Sequence, residues 1–331
     1  MQPTAILKPD HLGDLVLASP AIRAICRRHR DVTLFVNSGS RGLARYLFGD
    51  TLDVRCVDFR HLSRRPTETV DPGRFARELD RFGFVFCLRD DPVLRAMLDD
   101  VTAPHQVVSG SHFVHETASH KHAISEIVGS YSRSELFSEL PIVWPTAPAT
   151  IALCVAAGFP TNRWPNARWI ELADRLIRDH HSIVLVGGPG ESDDLKMLSL
   201  LLARIPHQVI QGGDDFGEFL DALDDVDLVV ASDGGTAHIC SLRKPVCSIF
   251  GSSPWRRYAP FGRDNVLVTR DEPCSPCVQF SSEEVNGCLT RECMGAIVPR
   301  QVAAVVRSNG LDFSLVRGLR VERSVSHQRF A

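Results

Sequence analysis

Apolar residues along the chain fall into short runs separated by amphipathic stretches, the pattern of strands alternating with helices. Ala5, Ile6 and Leu7 read as a buried strand. Leu15, Ala18, Ile22, Ile25 and Cys26 follow near helical spacing, and Pro20 predicts a kink there or the first turn of a regular helix. Further strands are predicted at 32–36, 54–57 and 84–88, and helices at 43–48 and 93–98. This βαβ rhythm predicts a parallel sheet covered by helices on both faces.

The rhythm breaks where Pro141, Pro145 and Pro148 fall within eight residues, which favours an extended linker. It then restarts. Strands are predicted at 151–155, 183–186, 209–210, 228–231 and 246–250. Trp169, Leu172, Ala173, Leu176 and Ile177 form one helical face. Other helices are predicted at 195–202, at 216–223, after Gly235 and at 299–306. The tail after Arg320 is polar and predicted to be loose. The domains are therefore 1–140, a linker at 141–148, and 149–331. Ligand sites in such α/β units lie at the strand ends.

Composition narrows the classes. The 331 residues allow two domains of ~150 residues each, and a 44% hydrophobic fraction can fill two cores. A net charge of -3 gives no electrostatic reason to expect nucleic-acid binding. Arg23, Arg27, Arg28 and Arg30 form a local basic face, either solvated or in contact with an anionic acceptor. Near the amino terminus, Asp10, His11 and Asp14 interrupt any signal-like apolar stretch. No apolar run approaches the ~20 residues that span a bilayer. A cytoplasmic protein is expected, with at most peripheral membrane contact.

Two segments carry candidate chemistry. Lys8-Pro9-Asp10-His11-Leu12-Gly13-Asp14 joins the first strand to the first helix. Asp14 there is either a helix cap or a general base at a strand end. Lys8, His11 and Gly13 would line the same acceptor-side region. Ser232-Asp233-Gly234-Gly235-Thr236-Ala237-His238 lies between a strand and a helix, where free N–H groups and the helix dipole favour a phosphate. Thr236 and His238 add candidate donors. The GxGxxG dinucleotide fingerprint is not among these motifs, so a dehydrogenase is not indicated.

With these two segments, Pro20-Ala21-Ile22-Arg23, Arg163-Trp164-Pro165 with Trp169, Gly187-Gly188-Pro189-Gly190-Glu191, Pro245-Val246 and Phe250-Gly251 complete a set of ordered blocks. Over nearly its whole length the chain resembles glycosyltransferase family 9, which includes the ADP-heptose:lipopolysaccharide heptosyltransferases. The resemblance implies a GT-B architecture, two Rossmann-like domains facing across a cleft, with the amino-terminal domain on the acceptor side and the carboxy-terminal domain binding the nucleotide sugar. It implies inverting transfer of a heptose or related sugar from an ADP-sugar to an acceptor hydroxyl, without a catalytic metal or cofactor. Asp14 would be the base. Glu191 would bind the nucleotide, Asp233 the sugar, and Gly234 to His238 the departing diphosphate.

Two positions depart from the family pattern. Its usual lysine two residues before the tryptophan is Asn162 here, which leaves Arg163, Lys8 or another cation to balance the phosphates. A threonine is common at the position of Gly234. The acceptor is open among a glycan, a lipid-linked glycan, a protein hydroxyl and a small molecule. A relative that binds a nucleotide sugar or a protein partner without turnover is the alternative class.

Ten cysteines are present. Cys26, Cys56, Cys87, Cys154, Cys240 and Cys247 sit in apolar patterns and read as reduced core residues. Cys274, Cys277, Cys288 and Cys293 have the spacing C-x2-C-x10-C-x4-C in a polar loop at 274–293. Four such thiolates suit a structural zinc or iron ion, and the same set reads equally as reduced thiols or a disulfide. An oligomer contact through this loop is a third reading. His112, His115, His120 and His122 form a second cluster, read as solvent-exposed or acceptor-side residues rather than a metal site.

Overall fold

The computed structural model describes residues 3–62, 68–110, 114–129, 144–145, 148–261, 265–277, 288, 290–308 and 319–323. The chain divides into two compact units, Met1–Glu139 and Leu140–Ala331. Residues 141–143 and 146–147 of the predicted linker, 278–287 and 289 of the cysteine loop, and His112 lie outside the described residues.

In the first unit, β1 (Thr4–Lys8), α1 (Leu12–Arg28), β2 (Val32–Val36), α2 (Arg41–Phe48), β3 (Asp53–Cys56), α3 (Pro72–Leu79), β4 (Phe84–Cys87), α4 (Pro92–Asp99), β5 (His105–Val107) and α5 (Glu116–Val128) follow in order. The sheet order is β3-β2-β1-β4-β5, and its paired strands are parallel. Every residue of β1 and β2 is buried, as expected for central strands covered on both faces. Ala5, Leu7, Phe35, Val85 and Cys87 pack on Phe75, Ala76 and Leu79 of α3 and on Leu94, Met97 and Leu98 of α4. The helix α1 runs through Pro20 rather than starting at it. Asp71 and Asp91 cap α3 and α4 in front of Pro72 and Pro92, each carboxylate accepting a backbone N–H of the first turn.

The second unit holds β6 (Thr150–Cys154), α6 (Asn166–Arg178), β7 (Ser182–Gly187), α7 (Ser192–Leu201), β8 (Gln208–Gln211), α8 (Phe216–Asp221), β9 (Leu228–Ser232), α9 (Gly235–Cys240), β10 (Val246–Phe250), α10 (Trp255–Tyr258), β11 (Val266–Thr269), α11 (Glu292–Gly295), α12 (Pro299–Arg307) and β12 (Arg320–Arg323). The sheet order is β12-β11-β10-β9-β6-β7-β8. The predicted loose tail therefore begins as a strand, paired antiparallel to β11, and Arg320 anchors it through an ion pair to Asp271 at 2.9 Å. Trp164 and Trp169 meet edge to face, 4.9 Å between centroids, and Trp164 Nε1 donates to the Ile297 carbonyl at 3.0 Å. The tryptophan-proline block is thus a packing device between the start of α6 and the loop before α12.

Both sheets reverse their strand order at one point, between β1 and β4 in the first and between β6 and β9 in the second. Such switch points are where doubly wound sheets bind ligands.

Candidate functional site

At the first switch point the segment after β1 turns into α1. His11 takes the cap position with extended backbone angles, and Asp14 lies inside the first turn. Asp14 is therefore not the cap, and its half-buried carboxylate is available for other work. Burial, and then the charge of Asp10, push Asp14 above the usual carboxylate range, against the pull of Lys8, Arg89 and His11. Gly13 is buried in the same turn, while His11 remains partly exposed.

Lys8, at the end of β1, is buried. Its side chain has no exposed surface, and its ammonium donates to Asp10 Oδ2 at 3.0 Å and to the Leu88 carbonyl at 2.8 Å. Arg89, just after β4, donates to the same Asp10 oxygen at 3.1 Å. Burial works against ionising Asp10, but Lys8 and Arg89 hold it below the usual range.

Two of the clustered histidines are displaced from their expected place. His115 caps α5 and is buried, and His120 is fully buried; His122 alone of the described members is exposed. His120 Nε2 meets the Leu88 carbonyl at 3.1 Å and lies 3.6 Å from Glu116 Oε1. Burial first, then Lys8, push its pKa down to about 4, so it is neutral at neutral pH. The sequence treats these residues as surface because α5 carries a weak apolar stripe; helix α5 in fact packs on α1.

At the second switch point Asn162 and Asp233 meet. Asn162 ends a short 3-10 helix, Pro160–Asn162, that follows β6, and Asp233 directly follows β9. Both are buried. Asn162 Nδ2 donates to Asp233 Oδ2 at 2.8 Å and lies 2.9 Å from Ser253 Oγ, while the Ser252 hydroxyl donates to Asn162 Oδ1. The amide that replaces a lysine is thus consumed in fixing a carboxylate. Arg163 pairs with Asp194 at 3.0 Å and donates to the Ala157 carbonyl at 3.2 Å.

Glu191 and the turn before α9 form a second constellation. Glu191 Oε2 accepts from the Gly188 N–H at 2.7 Å and from the Thr236 hydroxyl at 2.9 Å. A Cβ on Gly188 would collide with Thr236 Oγ1, so this glycine allows the end of β7 to approach α9. Gly234 caps α9, and a Cβ there would stand 3.0 Å from the Ala156 carbonyl. That tight spot accounts for the absence of a threonine. Gly235 is partly exposed, whereas Thr236, Ala237 and His238 are buried.

All ten cysteines are free thiols. Cys87, Cys154, Cys240 and Cys247 are buried as expected, but Cys56, on the outermost strand β3, is exposed. Burial, and then Cys274, Cys277 and Cys288, push the Cys293 thiol up to about 11, so the four sulfurs feel one another. Among the described residues, however, no three His, Cys, Asp or Glu side chains are grouped to hold a metal ion.

The model of glycosyltransferase family 9 (heptosyltransferase) matches residues 105–286, more than half of the chain. The chain belongs to glycosyltransferase family 9. A lipooligosaccharide heptosyltransferase 2 from Campylobacter jejuni is 21% identical over 317 residues, 90% of this chain and 96% of that protein. Among solved structures, a glycosyl transferase family 9 protein from Veillonella parvula superposes with a TM-score of 0.65 at 17% identity, covering 93% of this chain and 97% of that one. The E. coli ADP-heptose LPS heptosyltransferase II superposes with a TM-score of 0.64 at 12% identity, covering 94% and 100%. These family 9 likenesses agree with two parallel-sheet α/β domains of the GT-B class. Sequence reading gave Asp10 and His120 no role beside Asp14 and did not single out Arg89; the signal it had was a charged residue two positions after a buried parallel strand, at Asp10 after β1 and again at Arg89 after β4.

Proposed function

We propose that this family 9 member is an inverting, metal-independent transferase that moves a heptose or related sugar from an ADP-sugar to an acceptor hydroxyl, with Asp14 as general base. The observation that carries the reading is the Asp14 carboxylate, half-buried at a switch point with its pKa raised. A carboxylate so placed is a stronger base toward a hydroxyl proton than an ordinary exposed carboxylate. As that proton moves to Asp14, the acceptor oxygen bonds to the anomeric carbon and the bond to the diphosphate breaks. Inversion follows from attack opposite the departing ADP.

On this reading unit 1–139 takes the acceptor, with Lys8, His11 and Gly13 shaping the surroundings of the base. The second unit takes the donor: Glu191 the nucleotide portion, Asp233 the sugar, and the stretch from Gly234 to His238 the diphosphate. Donors oriented in advance toward charge that grows on the leaving group help most in the transition state. Asn162 acts by holding Asp233, and Arg163 is the nearby cation. A lipopolysaccharide or lipooligosaccharide glycan is the acceptor that the relatives favour, with a lipid-linked glycan or a protein hydroxyl using the same chemistry. Among the described residues no helix is long and apolar enough to cross a membrane. We place the protein in the cytoplasm with at most peripheral membrane contact.

A thermal-shift comparison of ADP, UDP and GDP tests the donor, because a ligand that binds the native state raises apparent stability. ADP is expected to give the largest shift; a preference for UDP or GDP would overturn the donor assignment. Asp14→Asn is expected to bind ADP-heptose and fail to transfer it. Transfer at the wild-type rate would remove Asp14 as the base.

A further inference from the structure

Buried charges are expensive unless paired, and the pairing of Asp10 is lopsided. Lys8 Nζ and Arg89 Nη1 both converge on Oδ2, at 3.0 and 3.1 Å. Oδ1 is buried and finds no hydrogen-bond partner among the described residues. The main chain is fixed as well: the Asp10 carbonyl accepts from Ser40 Oγ at 3.3 Å and from Asn37 Nδ2. The carboxylate is therefore held from strand β1 and from the segment after β4, and the main chain that carries it from the turn after β2. It stands just ahead of the cap of α1, with Asp14 one turn further on.

We propose that Asp10 is a positioning residue for Asp14, a clamped buried carboxylate that offsets Lys8 and Arg89 so that the reacting carboxylate keeps its basicity. The inference rests on the reading of Asp14 as the base. The groups that act on Asp14 are Lys8 of β1, Asp10 and His11 of the following turn, and Arg89 after β4. Glu116 and His120 of α5 lie behind Lys8, and His120 is neutral there. Burial and Asp10 push Asp14 up, and the cations push it down. Without Asp10, the two cations would be opposed by burial alone, and Asp14 would become a weaker base.

The test is an NMR titration of the Asp14 carboxyl carbon in full-length protein labelled with carbon-13 aspartate. The signal is assigned by its loss in Asp14→Asn. Asp10→Asn is expected to move the Asp14 midpoint to lower pH, and Arg89→Gln to move it to higher pH. A merely structural salt bridge would not give opposite signs. If Asp10→Asn does not fold, Arg89→Gln decides alone, since that side chain is 24% exposed and sits at the edge of the cluster. Release of ADP from ADP-heptose by Asp14→Asn, in the presence of a lipopolysaccharide-core acceptor, separates the two claims. Turnover kept by Asp14→Asn would overturn the base and this inference with it. Unmoved midpoints beside an inactive Asp14→Asn would overturn this inference alone.

Discussion

Asn162 and Asp233 are bound to each other, 2.8 Å from amide to carboxylate, across the point where the second sheet reverses its strand order. The first sheet carries the matching link, Arg89 to Asp10 at 3.1 Å, between the segments that follow β4 and β1. In each unit the first and fourth strands deliver polar residues to one spot, and a hydrogen bond fixes the carboxylate found there. In the second unit a neutral amide does this work, and Asn162 brings no charge to the Asp233 carboxylate.

Asn162→Ala should loosen Asp233 without touching the nucleotide portion. It leaves buried polar atoms of Asp233, Ser252 and Ser253 with a partner missing, a loss of about 1–3 kcal/mol. Urea unfolding measures that loss. In calorimetry, ADP-heptose should bind at least several-fold more weakly than to wild type, while ADP itself binds nearly as before.

Gly188→Ala forces a methyl group onto the Thr236 hydroxyl and so breaks its bond to Glu191. Overpacking of this kind typically destabilises by about 1–3 kcal/mol. Adding Thr236→Ala should recover part of the stability, giving a coupling above about 0.5 kcal/mol in a double-mutant cycle. Strict additivity of the two would place the strain elsewhere.

His120 makes the fold sensitive to acid. Burial holds its folded pKa at about 4, below the ordinary 6.5 of an imidazole. Below the unfolded value the unfolded chain takes up a proton that the folded chain refuses, so stability falls as pH drops from 6.5 towards 4. By linkage the His120 contribution to that fall is about 3 kcal/mol. His120→Gln keeps a donor for the Leu88 carbonyl and should flatten the dependence in this window. Urea midpoints measured at several pH values check it.

Asp14→Asn should trade activity for stability. Transfer is expected to drop by roughly 10²–10⁴-fold, the usual worth of a positioned base. The sign for stability is the reverse. The folded pKa of Asp14 is raised, so ionisation near neutral pH disfavours the folded state, and removing the charge raises the thermal midpoint at pH 7. That gain should vanish below the ordinary carboxylate range, where both states are protonated.

Hydrophobic periodicity by itself determined most of the architecture. The apolar runs at 5–7, 32–36, 84–88, 151–155, 183–186 and 228–231 lie in or overlap β1, β2, β4, β6, β7 and β9, because a strand buried on both faces must be apolar throughout. The edge strands β3 and β8 were read at 54–57 and 209–210, but the edge strands β5 and β12 escaped it. His105–Val107 and Arg320–Arg323 are polar, half-solvated segments whose place is set by the neighbouring strand and not by their own composition. Helix α5 escaped for a related reason: its buried side includes Glu116, Thr117, Ser119 and His120, polar residues whose burial the sequence does not foretell. The linear motif set Lys8 and Asp10 beside Asp14 and singled out Asp14 as the candidate base. Only the tertiary structure set Asp10 apart, by bringing Arg89 from 79 residues away onto it. Charge partners that meet across a parallel sheet are set by strand order, and strand order is a property of the packed chain rather than of any local stretch of it.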